Sequence, residues 1–385
     1  MRILMLNYEY PPLGGGAGNA TFYLLNEFTK RDDITVDLIT SSAHNRFEKE
    51  RLSDNITLYK LPVRKKNPHY WRMGEILVWS ILAYRLCRHL IKVNKYTLQH
   101  CWFGWPSGIL GYLNRKEVPY IVGLRGSDIP GYNTRLKILD SLFFGIISKN
   151  VWIHAETVTV LSEDSLKLAK KTLHRDFIII RNGVNTSEFF PNFLNKSTIK
   201  ILTVGRLVER KGIEYTIRAF ADIRKNNPEC DVHLTIVGSG NLEKQLKDLA
   251  YELHIVDNVS FLGRVDHEML PDIYRDHDIF VLSSLNEALG NVTQEAIASG
   301  LALITTETGA AELLNGNGFI VKKCDFQDIS EKLLLLIKNP NLLSRFKKRS
   351  VEISERMSWK ECADSYLKVY HSSVYSPESI SYNRS

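Results

Sequence analysis

The most specific chemical signal in the sequence is a pair of glutamates, Glu287 and Glu295, with seven residues between them. A strand predicted over Asp278–Leu282 leads into a glycine-bearing loop with Glu287, and a helix predicted from about Asn291 carries Glu295. Carboxylates accept strong hydrogen bonds from sugar hydroxyls, so Glu295 could hold both hydroxyls of a ribose and Glu287 a second sugar. The loop amides that could assist Glu287 are those of Ala288, Leu289, Gly290 and Asn291. Two acids at the positive end of a helix dipole are the simpler interpretation. The position of Glu287 ahead of the helix favours the binding site.

Two cations follow another predicted strand, Ile199–Gly205. The segment Gly205-Arg-Leu-Val-Glu-Arg-Lys-Gly212 places Arg206 and Lys211 near the carboxyl end of that strand. A guanidinium and an ammonium at this position suit a diphosphate, although solvated loop charges are an alternative. The segment lacks the GxxxxGK[ST] order of a P-loop. A further turn after the next strand contains Gly238, where backbone can approach a ligand closely.

A glycine loop near the start of the chain could bind an anion. Gly14, Gly15 and Gly16 lie between the first predicted strand and a helix from about Asn19, where backbone N–H groups can face a negative charge. The GxGxxG spacing fails in both frames and no acid ends the second strand, so a dinucleotide is disfavoured. A plain tight turn is the alternative.

A histidine and a pair of aspartates complete the candidates. His100 ends a predicted strand ahead of Cys101-Trp-Phe-Gly-Trp105, where it could orient a sugar or an acceptor. A hydrogen-bonded histidine under an aromatic cluster is the competing interpretation. Asp276 and Asp278 match a DxD metal site, but Asp278 opens its predicted strand, so we interpret the pair as a turn and predict no metal site.

These residues are positioned by a pattern of short β-branched runs alternating with amphipathic stretches, which predicts parallel α/β layers. The pattern restarts after the polar segment Asn182–Ser197, so we predict two successive doubly wound halves. In such sheets, ligands bind beyond the carboxyl ends of the strands. The strands predicted in the first half are Arg2–Leu6, Ile34–Ile39, Ile56–Lys60, Tyr96–His100, Tyr120–Gly123, Thr157–Val160 and Phe177–Ile180. Those in the second half are Ile199–Gly205, Val232–Val237, Asn258–Leu262, Asp278–Leu282, Ala302–Thr305 and Gly318–Val321. A last helix is predicted near Trp359–Tyr370.

The Glu287/Glu295 pair, the Gly205–Gly212 segment, the Gly14–Gly16 loop and Asn182-Gly-Val-Asn185 together resemble retaining glycosyltransferase family 4, across nearly the whole chain. The resemblance implies the GT-B fold: two Rossmann-like doubly wound domains facing across a cleft. It implies an acceptor-binding domain over residues 1–182, a nucleotide-sugar-binding domain over 183–358, and a last helix over about 359–375 that crosses back to the first domain.

The same resemblance implies roles for the candidate residues. Glu295 would bind the nucleotide ribose and Glu287 the transferred sugar. Arg206 and Lys211 would bind the diphosphate, with Gly15 and Gly16 closing on it from the other domain. Gly238 would belong to the donor site, and Arg264 and Val265 would lie near the base. The proposed catalytic set is Glu287, Arg206, Lys211 and His100. Family members often carry His-Gly where this chain has Arg125-Gly-Ser-Asp128, so Arg125 and Asp128 are expected to contact acceptor or donor.

The implied activity is transfer of a sugar, with retention of anomeric configuration, from a nucleotide diphosphate sugar to a glycan or lipid-linked acceptor. The expected donor is a UDP-sugar, and the expected product is a cell-surface polysaccharide, a lipopolysaccharide or a glycolipid. No metal or other cofactor is expected. A nucleotide-sugar epimerase of similar architecture and a non-catalytic sugar-nucleotide-binding protein are the alternatives. Glycosidase chemistry is disfavoured, because both glutamates belong to one strand–loop–helix unit.

The net charge of +7 is concentrated in residues 61–100, whose eight cations and single acid account for all of it. A helix predicted there carries Arg85, Arg88 and Lys92 on one face, with an apolar companion face that includes Trp79, Leu82, Leu86 and Leu90. Such a helix suits an anionic membrane surface, although a solvated face on a packed helix is the alternative. No nucleic-acid module accompanies the charge, so nucleic acid is not an expected partner.

The five cysteines are scattered and form no CxxC pair, which fits a reducing compartment. With no signal peptide and no apolar run long enough to span a bilayer, the sequence predicts a soluble cytoplasmic protein, peripheral on the inner face of the membrane if the basic helix binds lipid.

Overall fold

The computed structural model describes residues 1–68, 70–132, 145–193 and 198–375. By its internal contacts the chain divides into two compact units, and the helix that begins at Trp359 belongs to the first of them. The first unit also contains Met1–Asn182, and the second is Gly183–Ser358. Each unit is built on one mostly parallel sheet flanked by helices, which confirms the predicted fold class.

The first unit contains an eight-stranded sheet in the order β3-β4-β2-β1-β5-β6-β7-β8. Its strands are β1 Arg2–Leu6, β2 Thr35–Ser42, β3 Glu48–Ser53, β4 Ile56–Pro62, β5 Leu98–Trp102, β6 Tyr120–Gly123, β7 Thr157–Val160 and β8 Ile178–Ile179. Its described α-helices are α1 Gly16–Phe28, α2 Met73–Val93, α3 Gly108–Asn114, α4 Gly145–Ile153, α5 Glu163–Thr172 and α12 Trp359–Tyr375. The central strands β1 and β5 read as continuous apolar or buried runs because helices cover both faces of a parallel sheet.

The second unit contains a six-stranded sheet in the order β11-β10-β9-β12-β13-β14, with every neighbouring pair parallel. Its strands are β9 Ile199–Val204, β10 Val232–Val237, β11 Val259–Gly263, β12 Ile279–Leu282, β13 Ala302–Thr306 and β14 Gly318–Val321. Its α-helices are α6 Ile213–Asn226, α7 Glu243–Glu252, α8 Leu270–Arg275, α9 Asn291–Ala298, α10 Phe326–Lys338 and α11 Pro340–Ser354. The strand order reverses between β9 and β12, and parallel sheets bind ligands at such a switch point.

Every predicted strand is present within a few residues, but one strand among the described residues was not predicted. The edge strand β3, Glu48–Ser53, reads Glu-Lys-Glu-Arg-Leu-Ser and is largely exposed, so it lacks the apolar alternation that identifies a strand. It pairs antiparallel with β4, unlike the other strands of its sheet. The polar boundary segment Asn182–Ser197 is described except for residues 194–197.

Helix α2 packs on the core along part of its predicted apolar face, as the second of the two interpretations predicted. Its buried side chains are Glu75, Ile76, Trp79, Ala83, Cys87 and Leu90, so the apolar face predicted to accompany the basic residues at a membrane is in part the core face. Trp79 is fully buried, with 0% exposure. Among the described residues, no helix is both long enough and apolar enough to cross a bilayer.

Candidate active site

Three loops at the carboxyl ends of β9, β12 and β13 are joined to one another in the second unit. The Ser283 hydroxyl after β12 donates to the Gly212 carbonyl after β9, with an O–O distance of 2.8 Å. The Leu285 N–H donates to the Arg210 carbonyl at 2.8 Å, and the Gly309 N–H after β13 donates to the Glu287 carbonyl at 3.0 Å. These bonds fix the relative positions of the segments that carry the predicted cations and carboxylates.

Within this loop cluster, the Lys211 ammonium contacts the Glu287 carboxylate directly. Their side chains are 11% and 12% exposed, so the ion pair is largely withdrawn from water. The Arg210 guanidinium lies 3.8 Å from the same carboxylate oxygen and donates to the Asn286 carbonyl at 2.6 Å. Lys211 and Glu287 were predicted to belong to the site, but Arg210 was not, although it lies in the same Gly205–Gly212 segment.

The cations hold Glu287 in its charged form. Burial raises the pKa of its carboxyl, but Lys211, Arg210 and Arg206 lower that pKa more, so the net shift is below the ordinary value. Arg206 itself is exposed and is the second residue after β9. The loop therefore presents one cation to solvent and directs two others to a buried carboxylate.

The second carboxylate, Glu295, is held by two residues that the sequence analysis missed. It lies on α9 and is 8% exposed. The Tyr274 hydroxyl on α8 donates to Glu295 Oε2 at 3.0 Å, and His267 Nε2 lies 3.4 Å from Oε1. The hydrogen bond to Glu295 raises the pKa of His267, against the opposing effect of burial. The only sequence signal for His267 is its place shortly after β11, close to the Arg264-Val265 segment that was selected.

Two glycines in these loops are required by backbone packing. Gly238 has φ +135°, and a Cβ there would lie 1.9 Å from the Gly205 carbonyl oxygen. A Cβ on Gly309 would lie 1.9 Å from the Ala288 carbonyl oxygen. Gly238 thus allows the close approach of the neighbouring β9 loop and helps to position it, and the predicted approach to a ligand stays a prediction.

The other predicted donor contacts have different exposures. Ala288 and Leu289 are buried, at 6% and 1% exposure. Gly290 precedes α9 with φ +78°, and Asn291 is the first residue of that helix. After β11, Arg264 is exposed and Val265 half-buried.

In the first unit, the glycine loop already binds a carboxylate of the chain. Gly15 immediately precedes α1, which begins at Gly16, and the Gly15 N–H donates to Glu9 Oε2 at 3.2 Å. A Cβ on Gly15 would meet nothing within 4 Å. The predicted affinity of this helix N-terminus for negative charge is therefore met in part by Glu9, a residue that was not selected.

Arg125 and Asp128 lie in the loop after β6 and connect it to the loop after β5. Asp128 accepts the Arg125 N–H at 2.8 Å on Oδ1 and the Gly104 N–H at 2.7 Å on Oδ2. The Arg125 guanidinium lies 4.5 Å from the Trp102 ring centroid and donates to Asn182 at 2.7 Å. Both side chains thus have structural partners in the first unit, and their predicted contacts with acceptor or donor stay predictions.

His100 is not placed to touch a substrate, and its assignment as a catalytic residue needs correction. Strand β5 continues to Trp102, so His100 lies inside the strand and is 0% exposed. Its Nδ1 is 2.7 Å from the Tyr370 hydroxyl on α12, and its ring stacks on Trp102 with centroids 5.2 Å apart. Burial, with a smaller effect of Arg125, lowers the pKa of His100 to about 3. The competing interpretation, a hydrogen-bonded histidine in an aromatic cluster, describes what is found.

The two aspartates of the DxD-like sequence, Asp276 and Asp278, each form an ion pair with a lysine. Lys200 Nζ lies 2.6 Å from Asp276, and Lys347 Nζ lies 2.6 Å from Asp278, which directly precedes β12. In the part of the chain that the structure describes, no three His, Cys, Asp or Glu side chains are grouped so as to hold a metal ion.

Comparisons with known proteins cover both units. The family model described as glycosyl transferases group 1 matches residues 184–352, and the model described as glycosyltransferase family 4 matches residues 14–188. An uncharacterized glycosyltransferase of Methanocaldococcus jannaschii is 26% identical over 376 residues, covering 96% of this chain and 98% of the relative.

Two solved structures share the fold over nearly their full length. The sucrose-phosphate synthase of Thermosynechococcus elongatus superposes with a TM-score of 0.83 at 20% identity, covering 96% of this chain and 98% of that one. The Anabaena protein HepE, in complex with UDP and glucose, superposes with a TM-score of 0.73 at 18% identity, covering 97% and 100%.

Proposed function

Because the chain belongs to the group 1 and family 4 glycosyltransferases and has their GT-B fold, we propose that it transfers a sugar from a UDP-sugar to a glycan or lipid-linked acceptor with retention of anomeric configuration. The contact between Lys211 and Glu287 carries this proposal, since it brings a cation and a carboxylate together at the carboxyl ends of two neighbouring strands of the second sheet.

The cations of this loop cluster suit the leaving group. When the glycosidic bond to the nucleotide breaks, negative charge accumulates on the departing diphosphate. Arg206, exposed beside β9, is available to bind it, and Lys211 is available once a donor competes for its ammonium. Positive charge at this position stabilises the charge that develops on the leaving group and supplies what a divalent ion would otherwise provide.

The carboxylates suit the sugar part of the donor. Glu287 is kept anionic by its three neighbouring cations, and an anionic acceptor binds sugar hydroxyls strongly. Glu295, oriented by Tyr274 and His267, has the chemistry to accept both ribose hydroxyls. In the retaining reaction that we propose, the acceptor oxygen attacks from the side of the leaving group, and the departing phosphate takes the acceptor proton.

The choice of UDP rests on a structural neighbour, since HepE was solved with UDP and glucose bound. For the product, we propose a cell-surface polysaccharide, lipopolysaccharide or glycolipid.

The test is a donor panel followed by a product assay. A ligand that binds the native state raises its stability, so thermal shift reports binding, and calorimetry measures the affinity. Among UDP, ADP and GDP, we expect UDP to bind most tightly. Lys211→Met should weaken UDP binding at least tenfold, whereas Lys225→Met, an exposed lysine on α6, should not. Product formation with EDTA present and an NMR assignment of the anomer test metal independence and retention. An inverted product would overturn the mechanism, and UDP binding that is insensitive to Lys211→Met would overturn the site.

A further inference from the structure

The outward face of α2 carries an apolar stripe that the sequence analysis did not identify. Met73 and Leu77 are each 61% exposed, Ile81 is 49%, and Tyr84 is 36%. Their spacing of four, four and three residues places them on one side of the helix, whereas the buried Trp79, Ala83 and Cys87 lie on another. Val78, at 42% exposure, widens the stripe.

The same face becomes basic in the second half of the helix. Arg85 and Lys92 follow Leu77 and Ile81 at helical spacing, and both are exposed. Arg88 lies between them and pairs with Glu117. Further exposed cations flank the helix on both sides, namely Arg64, Lys66, Arg72 and Lys95.

The acids near this face leave its positive charge uncompensated. Glu75, the one acid in α2, is buried and its carboxylate lies 2.6 Å from the Lys65 ammonium. Glu117 is taken by Arg88. Among the described residues no ion pair of Arg85 or Lys92 is found, so these two cations face solvent beside the apolar stripe.

We propose that this α2 face, defined as Met73, Leu77, Ile81, Tyr84, Arg85 and Lys92, docks the protein on an anionic lipid bilayer. The apolar stripe enters the boundary between headgroups and acyl chains, and the cations contact anionic headgroups. A second copy of the chain is disfavoured as the occupant, because it would bring the same positive cluster against this one. This docking is independent of the proposed sugar transfer, since it involves only the surface of α2.

Vesicle binding of the full chain tests the docking. We expect co-sedimentation with phosphatidylcholine vesicles that contain 30% phosphatidylglycerol, on the order of tenfold weaker binding to pure phosphatidylcholine, and a further decrease at high salt. Leu77→Glu/Ile81→Glu should lower the partition coefficient for anionic vesicles at least tenfold by removing apolar insertion. Arg85→Glu/Lys92→Glu should lower it at least tenfold by reversing the headgroup contacts.

Matched controls separate the α2 face from general charge and hydrophobicity. Arg218→Glu/Lys225→Glu makes the same charge change on the exposed side of α6, and Tyr251→Glu/Val256→Glu replaces two residues that are 73% and 49% exposed in the second unit. Both controls should bind vesicles as the unaltered chain does, and thermal melts should show that all four variants fold.

The proposal is overturned if the unaltered chain does not bind anionic vesicles, or if the α2 variants and the controls lose binding equally. Light scattering gives an independent measurement. A dimer that dissociates in Leu77→Glu/Ile81→Glu would assign the face to a second copy and reject the lipid bilayer.

Discussion

The ammonium of Lys211 contacts the carboxylate of Glu287 although the two residues are 76 positions apart in the chain. Both side chains are about nine-tenths buried, and the net stabilisation from such a pair is small because each charge loses its hydration. Removing one partner is a different matter, since it leaves the other charge buried without compensation. Replacing one residue of the pair should therefore change both the free energy of unfolding and the rate of sugar transfer, and the two effects can be measured separately.

Replacing Lys211 with methionine should destabilise the second unit and impair the reaction. We expect the free energy of unfolding at pH 7 to fall by about 3 kcal/mol, near the lower end for breaking a buried pair, because Arg210 still lies 3.8 Å from Glu287. Sugar transfer should fall at least tenfold. Urea unfolding and a steady-state transfer assay measure the two effects.

The double variant Lys211→Met/Glu287→Gln provides the control for that prediction. It should recover part of the lost stability, because no isolated charge remains, but none of the activity. Equal unfolding midpoints for the single and the double variant would show that Lys211→Met leaves no costly isolated charge at Glu287.

The pH dependence of stability should reveal the charged state of Glu287. Its folded pKa is below the ordinary value, so its carboxylate contributes stability that is fully present above the unfolded pKa of about 4.3 and is lost as pH falls through the folded pKa. The stability difference between the unaltered chain and Glu287→Gln should thus be largest near pH 6–7 and should shrink below about pH 4. A difference that stays constant from pH 7 to pH 3 would contradict a depressed pKa.

The sequence was informative about the strands because buried parallel strands are short, apolar and β-branched. Tyr120–Gly123, Thr157–Val160 and Val232–Val237 have the predicted bounds. The charged edge strand Glu48–Ser53 has no such pattern, because an edge strand with exposed side chains needs no apolar face. The local sequence pattern thus predicts the buried strands, and it misses an edge strand that is defined only by its backbone hydrogen bonds.

The site residues divide in a similar way. Glu287 and Lys211 could be selected because they follow strands, whose carboxyl ends meet at one edge of the sheet. Their mutual contact, and the contacts of Glu295 with His267 and Tyr274, depend on loop packing that no spacing encodes. His100 was misassigned for the same reason: only the position of Tyr370, which is 270 residues away, shows that the imidazole belongs to the core.

Protonated His267 should stabilise the second unit through Glu295. The hydrogen bond to Glu295, with Glu188 and Glu268 nearby, raises the pKa of His267 above its unfolded value of about 6.5. Its contribution is therefore fully present below about pH 6.5 and is lost as pH rises through the folded pKa. The stability difference between the unaltered chain and His267→Gln should be larger at pH 5.5 than at pH 9.

A second variant separates this charge effect from packing. Tyr274→Phe removes the other hydrogen bond to Glu295 without removing a charge of the folded state, so its stability loss of about 1 kcal/mol should be the same at both pH values. If His267→Gln shows the same flat profile, the histidine is not protonated against Glu295.

The glycine loops provide a last prediction, in which two identical substitutions should have opposite outcomes. Gly238→Ala places a Cβ 1.9 Å from the Gly205 carbonyl oxygen and imposes a side chain at φ +135°, so the β9 and β10 loops must separate. We expect a loss of at least about 2 kcal/mol in the free energy of unfolding, because overpacking and backbone strain act together.

Gly15→Ala is the matched control, since its Cβ would meet nothing within 4 Å and its φ of −141° is open to any residue. Its free energy of unfolding should stay within about 0.5 kcal/mol of that of the unaltered chain, the usual range for a surface position. A Gly238→Ala variant as stable as Gly15→Ala would show that the loops at the carboxyl ends of β9 and β10 can separate at no cost in stability. The structure would then not hold Arg206 and Lys211 in the fixed positions that the proposed mechanism requires.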